Sequence, residues 1–150
     1  MISGILLAFA VPCVANIYVS LHIVCIITHY MKDSIRQLAD TAVKGIQEKK
    51  GRSISIVDMD GMEGTITQAF VICEGGSPTQ VSAIMDSVEE TMRKELGEKP
   101  VRIAGSQNCI WVAMDYTDIM VHIFLPEARD FYNLEELWQD APTTLVPDEE

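Results

Sequence analysis

From residue 33 onward the chain switches repeatedly between helical and extended hydrophobic periods. Ile35, Leu38, Ala39, Ala42, Val43 and Ile46 recur at the helical spacing, which predicts a first helix that starts near Asp33 or Ser34 and stops at Gly51. Ile54, Ile56 and Val57 mark a short strand ending at Asp58, the Gly-containing segment DMDGMEGT reads as a loop, and Phe70 to Cys73 is a second strand. The next helix carries the clearest signals in the chain. Ser77 is placed as N-cap, Pro78 at the first helical position and Gln80 as capping-box partner, with Val81, Ile84, Met85, Val88 and Met92 as the buried stripe and Gly97 as the left-handed end.

Val101 to Ala104 reads as a third strand. Trp111 to Met114 and Ile119 to Leu125 are rich in β-branched and bulky side chains and flank Asp115, Tyr116, Thr117 and Asp118, which predicts a hairpin. Pro126 stops its second strand, and Leu134, Leu137 and Trp138 give a short amphipathic closing helix lying on the sheet. The expected architecture is an α/β fold: a single small domain with a mixed sheet of about five strands and flanking helices. Residues 143–150, within the tail PTTLVPDEE, read as a loose acidic end.

The first thirty residues do not fit this pattern. Every charged residue of the chain lies at or after Lys32, so residues 1–30 form an uncharged, mostly apolar extension broken by Pro12, Asn16, His22 and His29. The run is long enough to span a bilayer, which takes about 20 apolar residues. It lacks the preceding basic residues and small-residue cleavage site of a secretory signal. An anchor, a targeting segment, and sequence upstream of a start at Met31 are the three readings, of which we favour the last. The domain is then expected over residues 31–142, and nothing in it requires a membrane.

Composition narrows the function classes. With 48% hydrophobic residues the chain can form a core, and 11 basic against 22 acidic side chains give a formal net charge of -11. That balance argues against direct binding of a phosphate backbone, where Lys and Arg supply the affinity, and suits a basic protein partner. Lys44, Lys49, Lys50 and Arg52 cluster at the end of the first helix, where they complement its dipole. The four cysteines form no C-x-x-C pair and have no histidine at metal-ligand spacing, so Cys73 and Cys109 are expected as reduced thiols in strands, as in a reducing compartment.

Catalytic signatures are missing: the sequence has no nucleophile elbow, no phosphate-binding GK[ST] loop and no H-E-x-x-H helix. His122 falls in the middle of an apolar strand and reads as a structural side chain hydrogen-bonded beside the sheet. One arrangement keeps an enzyme open. Gly75, Gly76 and Ser77 stand at a helix N-terminus, where backbone N–H groups can cradle a phosphate, and Asp58 and Asp60 could hold magnesium if the fold brought them near. The competing reading is a tight strand-to-helix turn. No cofactor or metal is expected otherwise.

From about Leu38 to Ala141 the chain resembles the Iojap family of ribosomal silencing factors. The resemblance is carried by Ile56-Val57-Asp58, Phe70-Val71-Ile72, Gly76-Ser77 with Gln80-Val81, Trp111-Val112, Asp115-Tyr116, Asp118, Val121-His122-Ile123-Phe124, Arg129, Tyr132, Leu134-Glu135 and Leu137-Trp138, in matching order and spacing. It covers none of residues 1–30. It implies a nucleotidyltransferase-like fold without catalysis. It also implies a cytoplasmic, ribosome-associated translation inhibitor that binds large-subunit ribosomal protein fourteen and blocks joining of the small subunit when nutrients are scarce. A homodimer away from the ribosome is left open. Two departures stand out: Thr117 where the family usually has Gly, and Gln68-Ala69 where it tends to show an aspartate and an aromatic residue.

Strand alternation sorts the hairpin into two faces. On the first strand Ile110, Val112 and Met114 share one face and Trp111 and Ala113 the other; on the second, Ile119, Val121, Ile123 and Leu125 share a face and Met120, His122 and Phe124 share the opposite one. Trp111 either lies in an open patch or packs under the last helix with Trp138, which itself falls on a buried stripe. The expected partner contacts are Trp111, Asp115, Tyr116, Asp118 and His122, with the turn exposed and its acids facing basic side chains. Glu135 and Glu136 read as a solvated face.

Overall fold

The computed structural model describes residues 33–148. The sheet lies within the unit Ile35–Glu150. The readings made for residues 1–30 lie outside the described residues. Among the described residues no helix is long and apolar enough to cross a membrane.

Helix α1 covers residues 33–48. It is followed by β1 (Arg52–Asp58), β2 (Ala69–Glu74), α2 (Pro78–Leu96), β3 (Arg102–Ala104), β4 (Trp111–Asp115), β5 (Ile119–Phe124), α3 (Pro126–Tyr132), α4 (Leu134–Leu137) and β6 (Thr143–Val146). The six strands form one mixed sheet in the order β3-β4-β5-β2-β1-β6. β2 and β5 run parallel, and the other neighbours are antiparallel.

Period-two alternation gives the sheet two unlike faces. Val71 and Cys73 of β2, Val112 and Met114 of β4, and Ile119, Val121 and Ile123 of β5 point to the face covered by α1 and α2, where they meet Ala42, Ile46, Ile84, Val88 and Met92 in the main core. The stripes predicted for both helices are the ones buried. Ser77 caps α2 through its hydroxyl, which accepts from the Gln80 N–H, and Gly97 ends it at φ 72°. A smaller cluster of Val57, Met59, Ile72, Phe124, Ala128 and Ala141 fills the opposite face under α3 and α4.

Several expectations change. The tail is not loose: Thr143–Val146 adds a sixth strand beside β1, held further by Asp58 N–H to the Pro142 carbonyl (2.8 Å) and Ser53 N–H to the Asp148 carboxylate (2.9 Å). Four residues between two prolines are too few to show a period. Pro126 ends β5 but also starts a helix, since proline suits a first helical position whose N–H has no partner anyway. α3 then breaks at Asn133, which takes φ 41°. The turn rotates the following residues, so Leu134 and Trp138 face the core while Leu137, placed by its spacing in the buried stripe, is 70% exposed. Cys73 is a buried free thiol in β2, and burial pushes it well above the usual thiol range. Cys109 is also free and buried but sits in the loop before β4 rather than in a strand.

Candidate docking surface

α3 and α4 are short, and they cover only part of the second sheet face. Over β4 and the start of β5 that face stays open: Trp111, Ala113, Asp115 and Met120 are half-buried there, and Arg102 of β3 is exposed beside them. Rings run across the face in unbroken contact. Phe131 meets Tyr132 (5.1 Å between centroids), Tyr132 meets Trp111 (4.7 Å), Trp111 stacks on Phe124 (5.0 Å) and tilts against His122 (5.8 Å). His122 in turn meets Phe70 edge-on (5.2 Å), and Phe70 meets Trp138 (6.2 Å).

Trp111 therefore combines the two readings of its sequence position. Its ring packs against Tyr132 of α3 rather than against Trp138, and it remains partly open to solvent. Its indole N–H donates to Nδ1 of His122 at 3.1 Å. An imidazole that accepts at Nδ1 while neutral carries its proton on Nε2, and Nε2 is buried with no partner. Burial holds the His122 pKa at about 4, with the Glu135 carboxylate pulling weakly the other way. His122 is thus a neutral acceptor that fixes the indole from below. At 5% exposed it meets no partner directly.

The turn after β4 is tied down by its own acids. Asp115 accepts from the Thr117 N–H (2.8 Å), and Asp118 accepts from the Gln68 side chain (3.1 Å) while its carbonyl accepts from the Gln68 N–H (2.8 Å). Gln68 thus anchors the loop before β2 to the hairpin. Thr117 adopts φ 72°, the left-handed conformation that glycine would enter without strain. Asp118 is exposed and Asp115 half-buried.

Tyr116 departs from its expected place. The sequence puts it at the exposed turn, yet it is 5% exposed, because the β4 alternation continues one residue past the strand's end at Asp115 and carries it under the helical face. Its hydroxyl is buried without a partner, and burial, helped by Glu89, pushes its pKa up.

Glu135, expected in a solvated face, belongs to a charged clamp. Arg129 donates to the Glu74 carboxylate (3.0 Å), to the Ser53 carbonyl (2.6 Å) and to Glu135, and the Ser55 hydroxyl donates to the same Glu135 oxygen (3.0 Å). Burial alone would raise the Glu135 pKa, but the hydrogen bonds and charge of Arg129, with the Ser55 bond, hold it below the ordinary carboxylate range. The clamp pins α3 and α4 onto β1 and β2. Sequence could show the acid and base on either side of Asn133 but nothing that paired them with Glu74.

The phosphate-cradle arrangement does not assemble. Gly75 N–H donates to the Phe124 carbonyl (2.9 Å) and Gly76 N–H to the Gln80 side chain (2.8 Å), so both glycine donors are already engaged. A Cβ on Gly75 would stand 2.9 Å from a Val81 methyl group, which explains that glycine by close packing of α2 on β2. Asp58 pairs with Ala69 at one end of the β1–β2 ladder and the glycines follow Glu74 at the other. About six residues of strand, on the order of 20 Å, separate them.

The family model described as "Ribosomal silencing factor during starvation" matches residues 32–150. The chain belongs to the ribosomal silencing factor family. The ribosomal silencing factor of Halalkalibacterium halodurans is 36% identical over 110 residues, spanning 73% of this chain and 92% of that protein. A crystal structure of a Chromobacterium violaceum protein superposes with a TM-score of 0.66 at 29% identity, covering 77% of this chain and 96% of the other. A mouse protein named "Mitochondrial assembly of ribosomal large subunit protein 1" is 29% identical over 102 residues, 66% of this chain and 44% of its own length. As in the rest of this family of ribosomal silencing factors, the chain's role lies in translation.

Proposed function

We propose that this protein is a non-catalytic inhibitor of translation that docks on the large ribosomal subunit through ribosomal protein fourteen and sterically blocks joining of the small subunit under nutrient limitation. The observation that supports the docking site most directly is the open sheet face on which His122 holds Trp111. A tryptophan fixed before binding loses little freedom on docking, and tryptophan dominates many interface cores. Trp111, Asp115 and Asp118 make the contacts; His122 acts through Trp111, and Tyr116 supports the turn from the covered face. The net charge of -11 suits approach to a basic ribosomal protein. The mouse relative, whose name places it in large-subunit assembly, points to the same subunit. Docking takes place in the cytoplasm.

Co-sedimentation with isolated large subunits tests the reading. Trp111→Ala and Asp118→Lys are expected to lose binding by about tenfold or more while circular dichroism stays unchanged. Undiminished binding in both variants overturns the site.

A further inference from the structure

The ring row does not stop at the open strands. It continues onto the C-terminal end of α3, where Tyr132 is 50% and Phe131 82% exposed. An aromatic ring this exposed contributes nothing to the core, and Phe131 lies on the outward side of α3 with Glu127 one turn before it and Asp130 beside it, both exposed. Arg129, the basic residue of α3, is turned inward and spent on Glu74 and Glu135, with its side chain 13% exposed. The outer surface of α3 therefore presents aromatic faces rimmed by negative charge that no basic residue opposes among the described residues.

We infer that this end of α3 is a second anchor of the docking surface and receives an arginine from a basic polypeptide segment of the partner. The guanidinium lies over the Phe131 ring, which the Tyr132 ring meets at 88°, with Glu127 or Asp130 accepting its hydrogen bonds. Stacking on a ring face and forked donation to a carboxylate are both open to arginine at once. Lysine offers only a compact point charge, which makes the site selective between them. Contact from Tyr132 to Trp111 makes the anchor continuous with the open strands, so one partner spans both. The inference rests on the docking role proposed for Trp111, and the test separates the two.

Phe131→Ala and the double variant Glu127→Gln, Asp130→Asn change exposed side chains and leave Trp111 in place, which unchanged melting and indole fluorescence verify. Binding to isolated large subunits is expected to weaken about tenfold for Phe131→Ala, and the double variant is expected to lose part of its salt dependence. By calorimetry the wild-type protein should bind a hexa-arginine peptide more tightly than hexa-lysine, and Phe131→Ala should remove the difference. If Trp111→Ala abolishes ribosome binding while Phe131→Ala stays within twofold of wild type, the second anchor is wrong and the docking reading stands. If neither variant matters, the docking reading fails and takes this anchor with it. Equal binding of the two peptides by the wild-type protein overturns the arginine assignment.

Discussion

Acidification should destabilise this fold through His122, and the size of the effect follows from its surroundings. Burial among Phe70, Trp111 and Phe124 lowers the His122 pKa to about 4, from the ordinary 6.5 that applies once the chain unfolds. Above pH 6.5 both states hold a neutral imidazole and the group is indifferent to pH. Between 6.5 and 4 the unfolded chain takes up a proton that the folded chain refuses, so each step down in pH favours unfolding. Below about 4 both states are protonated and the loss levels off. A tenfold difference in proton affinity is worth about 1.4 kcal/mol, so the whole window amounts to about 3 kcal/mol. At 5% exposure, solvent screening takes little from this figure.

The assay is urea unfolding of wild type and His122→Gln at intervals from pH 7.5 to 4. Glutamine keeps an oxygen that can accept from the Trp111 indole, so the variant removes the titration while sparing the hydrogen bond. Groups that do not interact with His122 contribute equally to both proteins to first order, and Glu135, which acts on His122 only weakly, adds a small correction. The two stability curves should differ by a constant above pH 6.5 and draw together by about 3 kcal/mol on the way to pH 4. Parallel curves throughout would mean that His122 is not held neutral by its environment, and the account of how Trp111 is fixed would fail with it.

Two further outcomes follow from the same geometry. Arg129→Met leaves the Glu74 and Glu135 carboxylates, with side chains 23% and 26% exposed, without their shared cation. It should cost about 2 kcal/mol in urea unfolding after allowance for partial solvation, and adding Glu135→Gln should recover part of it; a loss below about 0.5 kcal/mol would show that the clamp does not hold α3 and α4. Thr117→Gly relieves a β-branched residue at φ 72° and should raise stability by about 1 kcal/mol despite the added freedom of the unfolded chain, seen as a higher urea midpoint; no increase would mean that the Asp115 and Gln68 contacts already offset the strain.

Legibility in the sequence follows the length of each repeating pattern. β4 and β5 run five and six residues, long enough for alternation to assign both faces, and α2 announces its ends with a capping serine, a proline and a left-handed glycine. β6, four residues between two prolines, shows no period; α4, also four, reads correctly as a helix, with Leu134 and Trp138 rightly in its buried stripe and Leu137 wrongly so. The sequence misplaces Tyr116 because a turn is expected to end the alternation, whereas its backbone N–H still bonds to the Ile119 carbonyl at 3.0 Å and keeps it in register. Glu135 is misplaced because its partner is brought by strand pairing: Ser55 and Glu74 come within reach of α3 and α4 only once β1 lies beside β2.

The same segment that is least legible in the sequence decides what the sheet can present. Eleven residues of helix in α3 and α4, seven and four, are too few to cover a six-stranded sheet. Arg129 fixes them over β1 and β2 by bonds to Ser53, Glu74 and Glu135, which leaves β4 open and Trp111 at the boundary between covered and uncovered strands. A longer closing helix would bury Trp111 and remove the surface; a looser one would let Tyr132 leave the indole and free it to rotate. The clamp and the docking face are therefore mechanically linked. Weakening Arg129 should cost affinity for the large subunit as well as stability, in a protein that still folds.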